Sequence, residues 1–383
     1  MPGAERGIPS VVVHKPSIGP EEIAAVVEVC AAGWLGMGEV TDTFEQRLRE
    51  IVGVRHAVGV QSGTAALHLA LEAVGVGPGD DVIVPSFTFA ASVQAILMAG
   101  ARPVFCDVDL ETLGIDVDDA VRRITPATKA ILPVDYGGVA CDYDRLLAET
   151  RPRGIAVVAD AAHSFGSTYQ GRAVGTLADV TCFSFDATKS VTCGDGGAVV
   201  TDDDEIARYC LATRNLGIAQ SPWTRMLSRR PWSYDVTGPG YRYRLGNLNS
   251  AIGLVQLGRL DEFRARKREI VDGYDNALAD CPGVAFPNRR GDETLHFLYV
   301  IRVLDGRRDA LLDHLAERSV QGWVHFTPNH LQPAFAEYRV PLPVTERLFG
   351  EVVTLPLHMQ LTDDDVERVV EGVRSFLLSA VPA

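Results

Sequence analysis

In the stretch "SIGPEEIAAVVEVCAAGW" the apolar residues Ile23, Val26, Val27 and Cys30 recur at the spacing of one helical face. Pro20 and the two glutamates behind it suit a first helical turn. Downstream, short β-branched runs alternate with helical patterns. "HAVGV" leads into the helix "GTAALHLALEAV"; "DVIVPSF", "RPVFCDV" and "KAILPVDY" read as strands, each followed by a helix; "GIAVVAD", "VTCFSF" and "GAVVTDD" continue the series. Alternation of this kind predicts βαβ units and a mostly parallel sheet covered on both faces. That region extends to about Gly253. "RLDEFRARKREIVDGYDNAL" then reads as a charged amphipathic connector helix, "LHFLYVIRVL" as a strand, "RRDALLDHLAERSV" as a helix and "GWVHF" as a further short strand. The last helix, "VERVVEGVRSFLL", is preceded by a capping box from Thr362 to Asp365. The pattern predicts an α/β protein with a large domain over 1–253, N-terminal arm included, and a smaller α/β domain over 254–383.

A length of 383 residues agrees with two domains, and 46% hydrophobic with 22% charged residues describes a globular chain with material for a large core. The net charge of -14 argues against nucleic acid or an anionic membrane as partner, since both demand a basic face. The seven cysteines are odd in number and form no C-x-x-C pair, so neither a disulfide framework nor a structural zinc site is indicated. "MPGAERGIPSVVVHKP" has no apolar h-region and no run approaches the length of a membrane span, so the chain is expected to be cytoplasmic.

Composition also draws attention to lysine. Of 36 basic residues only Lys15, Lys129, Lys189 and Lys267 are lysines. Lys189 lies in "FSFDATKSVTCGDGGAVVTDD", between two apolar strands and ahead of a glycine cluster. Asp160 ends the strand "VVAD", at the rim where parallel sheets bind ligands, although capping of the following helix is an equally ordinary role. Ser62, Gly63 and Thr64 stand between a strand and a helix N-terminus, where free amides and the helix dipole favour an anion; plain N-capping is the other reading of that segment. "GVGPGD" (Gly75 to Asp80) fits a dinucleotide loop badly and follows a helix, so it is read as a helix-ending turn. A nicotinamide oxidoreductase therefore lacks its fingerprint. A strand-end aspartate, a sheltered lysine and a phosphate cradle are together the parts needed for pyridoxal 5′-phosphate. The lysine supplies an amine for a Schiff base, the aspartate keeps the pyridine nitrogen protonated, and partial burial lowers the proton affinity of the lysine.

With these segments in this order, the chain resembles the DegT/DnrJ/EryC1/StrS family of nucleotide-sugar aminotransferases, of aminotransferase fold type I. The likeness runs from "KPSIGPEEI" to the final helix and includes "SGTAALHLALEAVGVGPGDDVIVPSFTF", "ADAAHSFGS", "GYRYRLGNLNSAIGLVQLGRL" and "VHFTPNHLQP". The resemblance implies that Lys189 is the Schiff-base lysine and Asp160 the partner of the pyridine nitrogen. It places His163 beside the ring hydroxyl, Phe89 and Ala162 on the two ring faces, and Thr64, Ala65 and Ser184 at the phosphate. Arg244 and Asn247 fall in a segment the family reaches across a homodimer interface, and His325 and His330 are expected near the sugar. Satisfied, partly buried histidines are the alternative for these two, which lack the companions of a zinc site.

Three positions depart from the family's habit: Leu216 where histidine is frequent, Gly138 where glutamine is, and Asn249 in place of glutamine. They touch substrate contacts rather than the cofactor set. The implied reaction is transfer of an amino group from L-glutamate or L-glutamine to a nucleotide-linked ketosugar. The N-terminal segment resembles the branch acting on 4-keto-6-deoxyhexoses, with dTDP as default nucleotide; a 3-keto sugar or a cyclitol is the alternative within the family. A sugar dehydratase would carry histidine in place of Lys189. A silent regulator would need a partner or a DNA-binding module, and no basic helix-turn-helix precedes the family-like region.

Overall fold

The computed structural model describes residues 10–287 and 294–379. The opening stretch, residues 1–9, lies outside the described residues. Among the described residues twelve strands are present: β1 (His56–Val60), β2 (Asp81–Pro85), β3 (Arg102–Cys106), β4 (Thr128–Ile131), β5 (Ala156–Asp160), β6 (Thr168–Tyr169), β7 (Arg172–Ala173), β8 (Val180–Ser184), β9 (Gly197–Thr201), β10 (Val284–Ala285), β11 (Tyr299–Val303) and β12 (Val352–Leu355).

Seven of them form the main sheet in the order β1-β9-β8-β5-β4-β2-β3. β9 runs antiparallel to both its neighbours, and the other pairings are parallel. β2 and β9 are buried at every residue, as strands covered on both faces must be. The direction of β9 decides where the strand ends emerge. Because it is reversed between β1 and β8, β1 points the same way as β8, β5 and β2. The segments after Val60, Pro85, Asp160 and Ser184 therefore leave one and the same edge of the sheet.

The second sheet has the order β10-β11-β12 and is antiparallel. Helices Leu260–Leu278, Arg308–Glu317 and Asp363–Leu378 pack around it. Thr362 and Asp365 form the predicted capping box, with the Thr362 hydroxyl accepting from the Asp365 amide. The expected boundary at 253 falls inside helix Asn247–Gly258. The N-terminal segment also belongs with this second unit: Val11 bridges Val320 and is buried among Ile301, Leu315 and Val353. The Leu357 amide donates to the Val13 carbonyl.

Two predicted strands are shorter than their patterns. "LHFLYVIRVL" pairs only from Tyr299 onward, because Phe297 and Leu298 donate their amides to the Gly137 carbonyl instead of a strand. "GWVHF" makes a single bridge, Trp323 to Thr354, before the chain turns away. "GVGPGD" is the helix-ending turn expected, with the Gly75 amide donating to Glu72.

Candidate active site

At the shared carboxyl edge the structure encloses a cavity of about 520 Å³. Ser62, Gly63, Thr64, Phe89, Asp160, Ala162, His163, Ser184, Lys189 and His325, all singled out from sequence, line it.

The phosphate side is built by close backbone approach. Ser62 caps helix Gly63–Ala73, its hydroxyl accepting from the Ala65 amide at 3.1 Å. The Ala65 amide is thereby taken, so the first-turn amides free to meet an anion are those of Gly63 and Thr64. A Cβ on Gly63 would lie 2.8 Å from the Cβ of Ser184, and one on Gly197 would lie 2.5 Å from the Ser62 backbone. Only glycines let the helix start this close to β8 and β9. The N-capping reading is seen directly, and it leaves the Gly63 and Thr64 amides available to an anion.

Asp160 is buried at the end of β5. Ser92 donates to its Oδ2 at 2.6 Å and the Ala162 amide to its Oδ1 at 3.2 Å. Thr88 lies 3.0 Å behind Ser92. Burial raises the Asp160 pKa, while Ser92, the Ala162 amide and the charge of Lys189 pull it back. Lys189 follows β8 in a turn closed by its own amide donating to the Asp186 carbonyl. Its Nζ sits 4.3 Å from the centroid of the Phe297 ring. Burial lowers its pKa from 10.5 to about 8, against the pull of Asp160 and Asp186.

His163 packs 4.4 Å from Phe297, and the Gly137 amide donates to its Nδ1 at 3.3 Å. Burial, together with Lys189, His325 and His14, holds its pKa well below the ordinary value. The ring is neutral, and with Nδ1 accepting, the proton resides on Nε2. His325 turns its Nδ1 to Thr354 Oγ1 at 2.9 Å, and its carbonyl accepts from the Tyr136 hydroxyl. Gly138 has φ +105, and a Cβ there would meet the Leu295 carbonyl at 2.9 Å, which accounts for a glycine where the family often has glutamine.

Four expected site residues lie elsewhere or are committed to other bonds. His330 is outside the cavity and buried: its amide donates to Ser86 Oγ, Ser86 is 2.7 Å from its Nδ1, and its ring packs on Phe105. The satisfied-histidine reading holds for it. Asn247 is buried with its carboxamide engaged at both ends, accepting from the Thr41 amide and hydroxyl and donating to the Trp34 carbonyl. It ties two helices together and does not face the cavity. Ala65 is buried with its amide capped, as described above. Arg244 lines a separate groove of about 550 Å³ with Arg242, Trp34 and Gln61.

Sequence reasoning missed others. His14 lines the cavity, stacks on Phe297 at 4.9 Å and lies edge-on to His325 at 5.3 Å. Its Nε2 has no hydrogen-bond partner among the described residues, which leaves a polar atom for a ligand. Phe297, Phe326 and Trp323 form the apolar wall. Ser92 carried a faint signal, a small polar residue in the apolar helix "AASVQAILM"; His14 carried none.

The donor set fits pyridoxal 5′-phosphate. There are two helix-terminal amides and the hydroxyls of Ser62, Thr64 and Ser184 for a phosphate, a buried carboxylate for a protonated ring nitrogen, and a lysine whose lowered pKa suits an aldehyde. Residues 16–374 match the model of the DegT/DnrJ/EryC1/StrS aminotransferase family. The chain is 39% identical over 376 residues to the spore coat polysaccharide biosynthesis protein SpsC of Bacillus subtilis (strain 168), covering 95% of this chain and 96% of that one. It is also similar to the solved aminotransferase TlmJ from Streptoalloteichus hindustanus, at 39% identity and TM-score 0.90 over 96% of this chain and 99% of that one. The PLP form of Spr1654 from Streptococcus pneumoniae matches at 31% identity and TM-score 0.90, over 97% and 99%. The chain belongs to the DegT/DnrJ/EryC1/StrS aminotransferase family and is an aminotransferase that works with pyridoxal 5′-phosphate.

Proposed function

We propose that this aminotransferase moves an amino group from L-glutamate or L-glutamine to a nucleotide-linked 4-keto-6-deoxyhexose, dTDP-linked, in the biosynthesis of a deoxyaminosugar for an antibiotic. It does so in the cytoplasm as a homodimer whose sites are shared between subunits. The observation that carries the reading is the meeting of Lys189 and Asp160 in one cavity beside the Ser62–Thr64 helix start. The cofactor, when bound, supplies an aldehyde that exchanges amines and a ring that takes up electrons. Lys189 would supply the amine that holds the cofactor aldehyde, and once free its unprotonated Nζ takes a proton from the substrate carbon and returns it. Its pKa of about 8 leaves a useful fraction unprotonated near neutrality. Asp160 would pair as a carboxylate with the ring nitrogen, its ionised form helped by Ser92. His163, with its proton on Nε2, is a donor for the ring oxygen. Gly63, Thr64, Ser62 and Ser184 hold the phosphate.

A sugar substrate is supported by the cavity mouth and by the relatives. Trp323 lines the cavity and remains 52% exposed, beyond Phe89, which we keep on the cofactor ring, and such an indole face stacks on sugar and base rings. SpsC is named for polysaccharide biosynthesis. The test offers dTDP-4-keto-6-deoxyglucose and its 3-keto isomer with L-glutamate and locates the new amine by NMR. Nitrogen at position 4 is the expected result. Nitrogen only at position 3, or no turnover with either sugar, overturns the proposed substrate and leaves the aminotransferase assignment intact.

A further inference from the structure

A second lysine is buried behind the Lys189 turn. Lys267, in helix Leu260–Leu278, is 4% exposed. Its Nζ donates to Ser190 Oγ at 2.7 Å and to the His296 carbonyl at 3.0 Å, and no carboxylate pairs with it among the described residues. Both partners are neutral, so the desolvation of the ammonium is left largely uncompensated, and burial lowers its pKa from 10.5 to about 7. An apolar side chain in this place would spare the fold that cost.

The two partners have telling neighbours. Ser190 directly follows Lys189 in the chain. His296 directly precedes Phe297, the ring on which Lys189 Nζ rests. Lys267 thus joins the backbone that carries the Lys189 side chain to the segment that supports its far end. Ser190 Oγ also lies 3.5 Å from the His296 carbonyl, so the three groups close one small triangle. We propose that Lys267 is a positioning residue for the aminotransferase reaction: by tying Ser190 to the His296 carbonyl, it fixes the Lys189 turn against Phe297 and so sets where the Lys189 amine stands. The inference rests on Lys189 being the reacting amine.

The groups that face Lys189 in the cavity are Asp160 and Asp186, which favour its ammonium, and His163, His14 and His325, kept neutral first by burial and further by the charge of Lys189. Loosening the turn changes none of these residues but moves the half-buried amine toward the open part of the cavity. The labelling midpoint of Lys189 then moves up from about 8 toward 10.5, the value of a solvated lysine.

The experiment compares the wild type with Lys267→Met, Lys267→Arg and Ser190→Ala. Borohydride reduction of the cofactor-loaded proteins and peptide mapping first identify the labelled lysine. Competitive acylation of the apoproteins against pH, read by mass spectrometry, then gives the Lys189 midpoint, and steady-state kinetics separate kcat from KM. In Lys267→Met and Ser190→Ala the midpoint is expected to rise by about one pH unit. In the same variants kcat falls about tenfold, the cost of a slightly misplaced group, while KM for the amino donor stays within about twofold. Lys267→Arg restores most of both. Ser190→Ala keeps the test open if Lys267→Met fails to fold. Trapping on a lysine other than Lys189 overturns the Lys189 reading and this inference with it. Trapping on Lys189 with an unmoved midpoint and unmoved kcat in the folded variants, or with stability alone reduced, overturns this inference only.

Discussion

Ser92→Ala removes one hydrogen bond and almost no volume, which makes it a clean probe of Asp160. The Ser92 hydroxyl is fully buried, donates to Asp160 Oδ2 at 2.6 Å and lies 3.0 Å from the Thr88 hydroxyl. A buried hydrogen bond to a charged group contributes about 1.5–3 kcal/mol. At 1.36 kcal/mol per unit, losing it raises the Asp160 pKa by roughly one to two units, on top of the rise that burial already imposes. The sign follows from the acceptor. Ser92 donates more strongly to an ionised carboxylate oxygen than to a protonated one, so its loss favours the protonated acid. A protonated Asp160 no longer balances a positive ring nitrogen. Affinity of the apoprotein for pyridoxal 5′-phosphate, measured by fluorescence titration from pH 5 to 8, should therefore collapse on the acid side about one to two pH units earlier than in the wild type. Affinity at the alkaline end should stay close to the wild-type value. Equal weakening at every pH, in a variant of unchanged fold, would refute the argument, because it would mean that Ser92 shapes the cavity rather than the charge of Asp160.

Lys189→Ala and Arg244→Ala chains should each be folded and inactive, and co-refolded mixtures should regain roughly a quarter of the wild-type sites if a two-fold dimer shares its sites; full activity of a demonstrated monomer would sink the shared-site proposal. Gly63→Ala places a Cβ 2.8 Å from Ser184, so denaturant unfolding should show a loss of about 1–3 kcal/mol together with weaker cofactor binding. Burial holds the pKa values of His14, His325 and His358 down to about 2, 3 and 4, below the ordinary 6.5. The unfolded chain thus binds protons that the folded one does not, and stability is lost as pH falls below about 6.5, by up to about 1.4 kcal/mol per pH unit for each ring. Unfolding curves at pH 7, 6 and 5 check this, and His358→Gln should flatten the slope by about one proton.

What could be read from the sequence alone were the features set by neighbours in the chain. Helical spacing in "EEIAAVVEVC", the capping box at Thr362, continuous apolar runs such as "DVIVP" and the helix-ending turn at Gly75 all depend on a few consecutive residues. The meeting of Ser62, Asp160, Ser184 and Lys189 was legible for a related reason: segments that follow parallel strands leave a sheet at the same edge, so strand ends far apart in sequence become neighbours. Tertiary structure decided what side-chain direction and distant packing control. His325 and His330 lie on one segment five residues apart, yet the first lines the cavity and the second is buried behind Ser86. Asn247 stood in the right motif but spends its carboxamide on Thr41 and Trp34. His14 reaches the site only because its arm is held on the second unit by Val320 and Leu357. Lys267 meets Ser190 and His296 only because a helix from the far half of the chain packs against the Lys189 turn. No local pattern encodes such contacts, because the burial and hydrogen bonding that determine them exist only once both partners have been brought together.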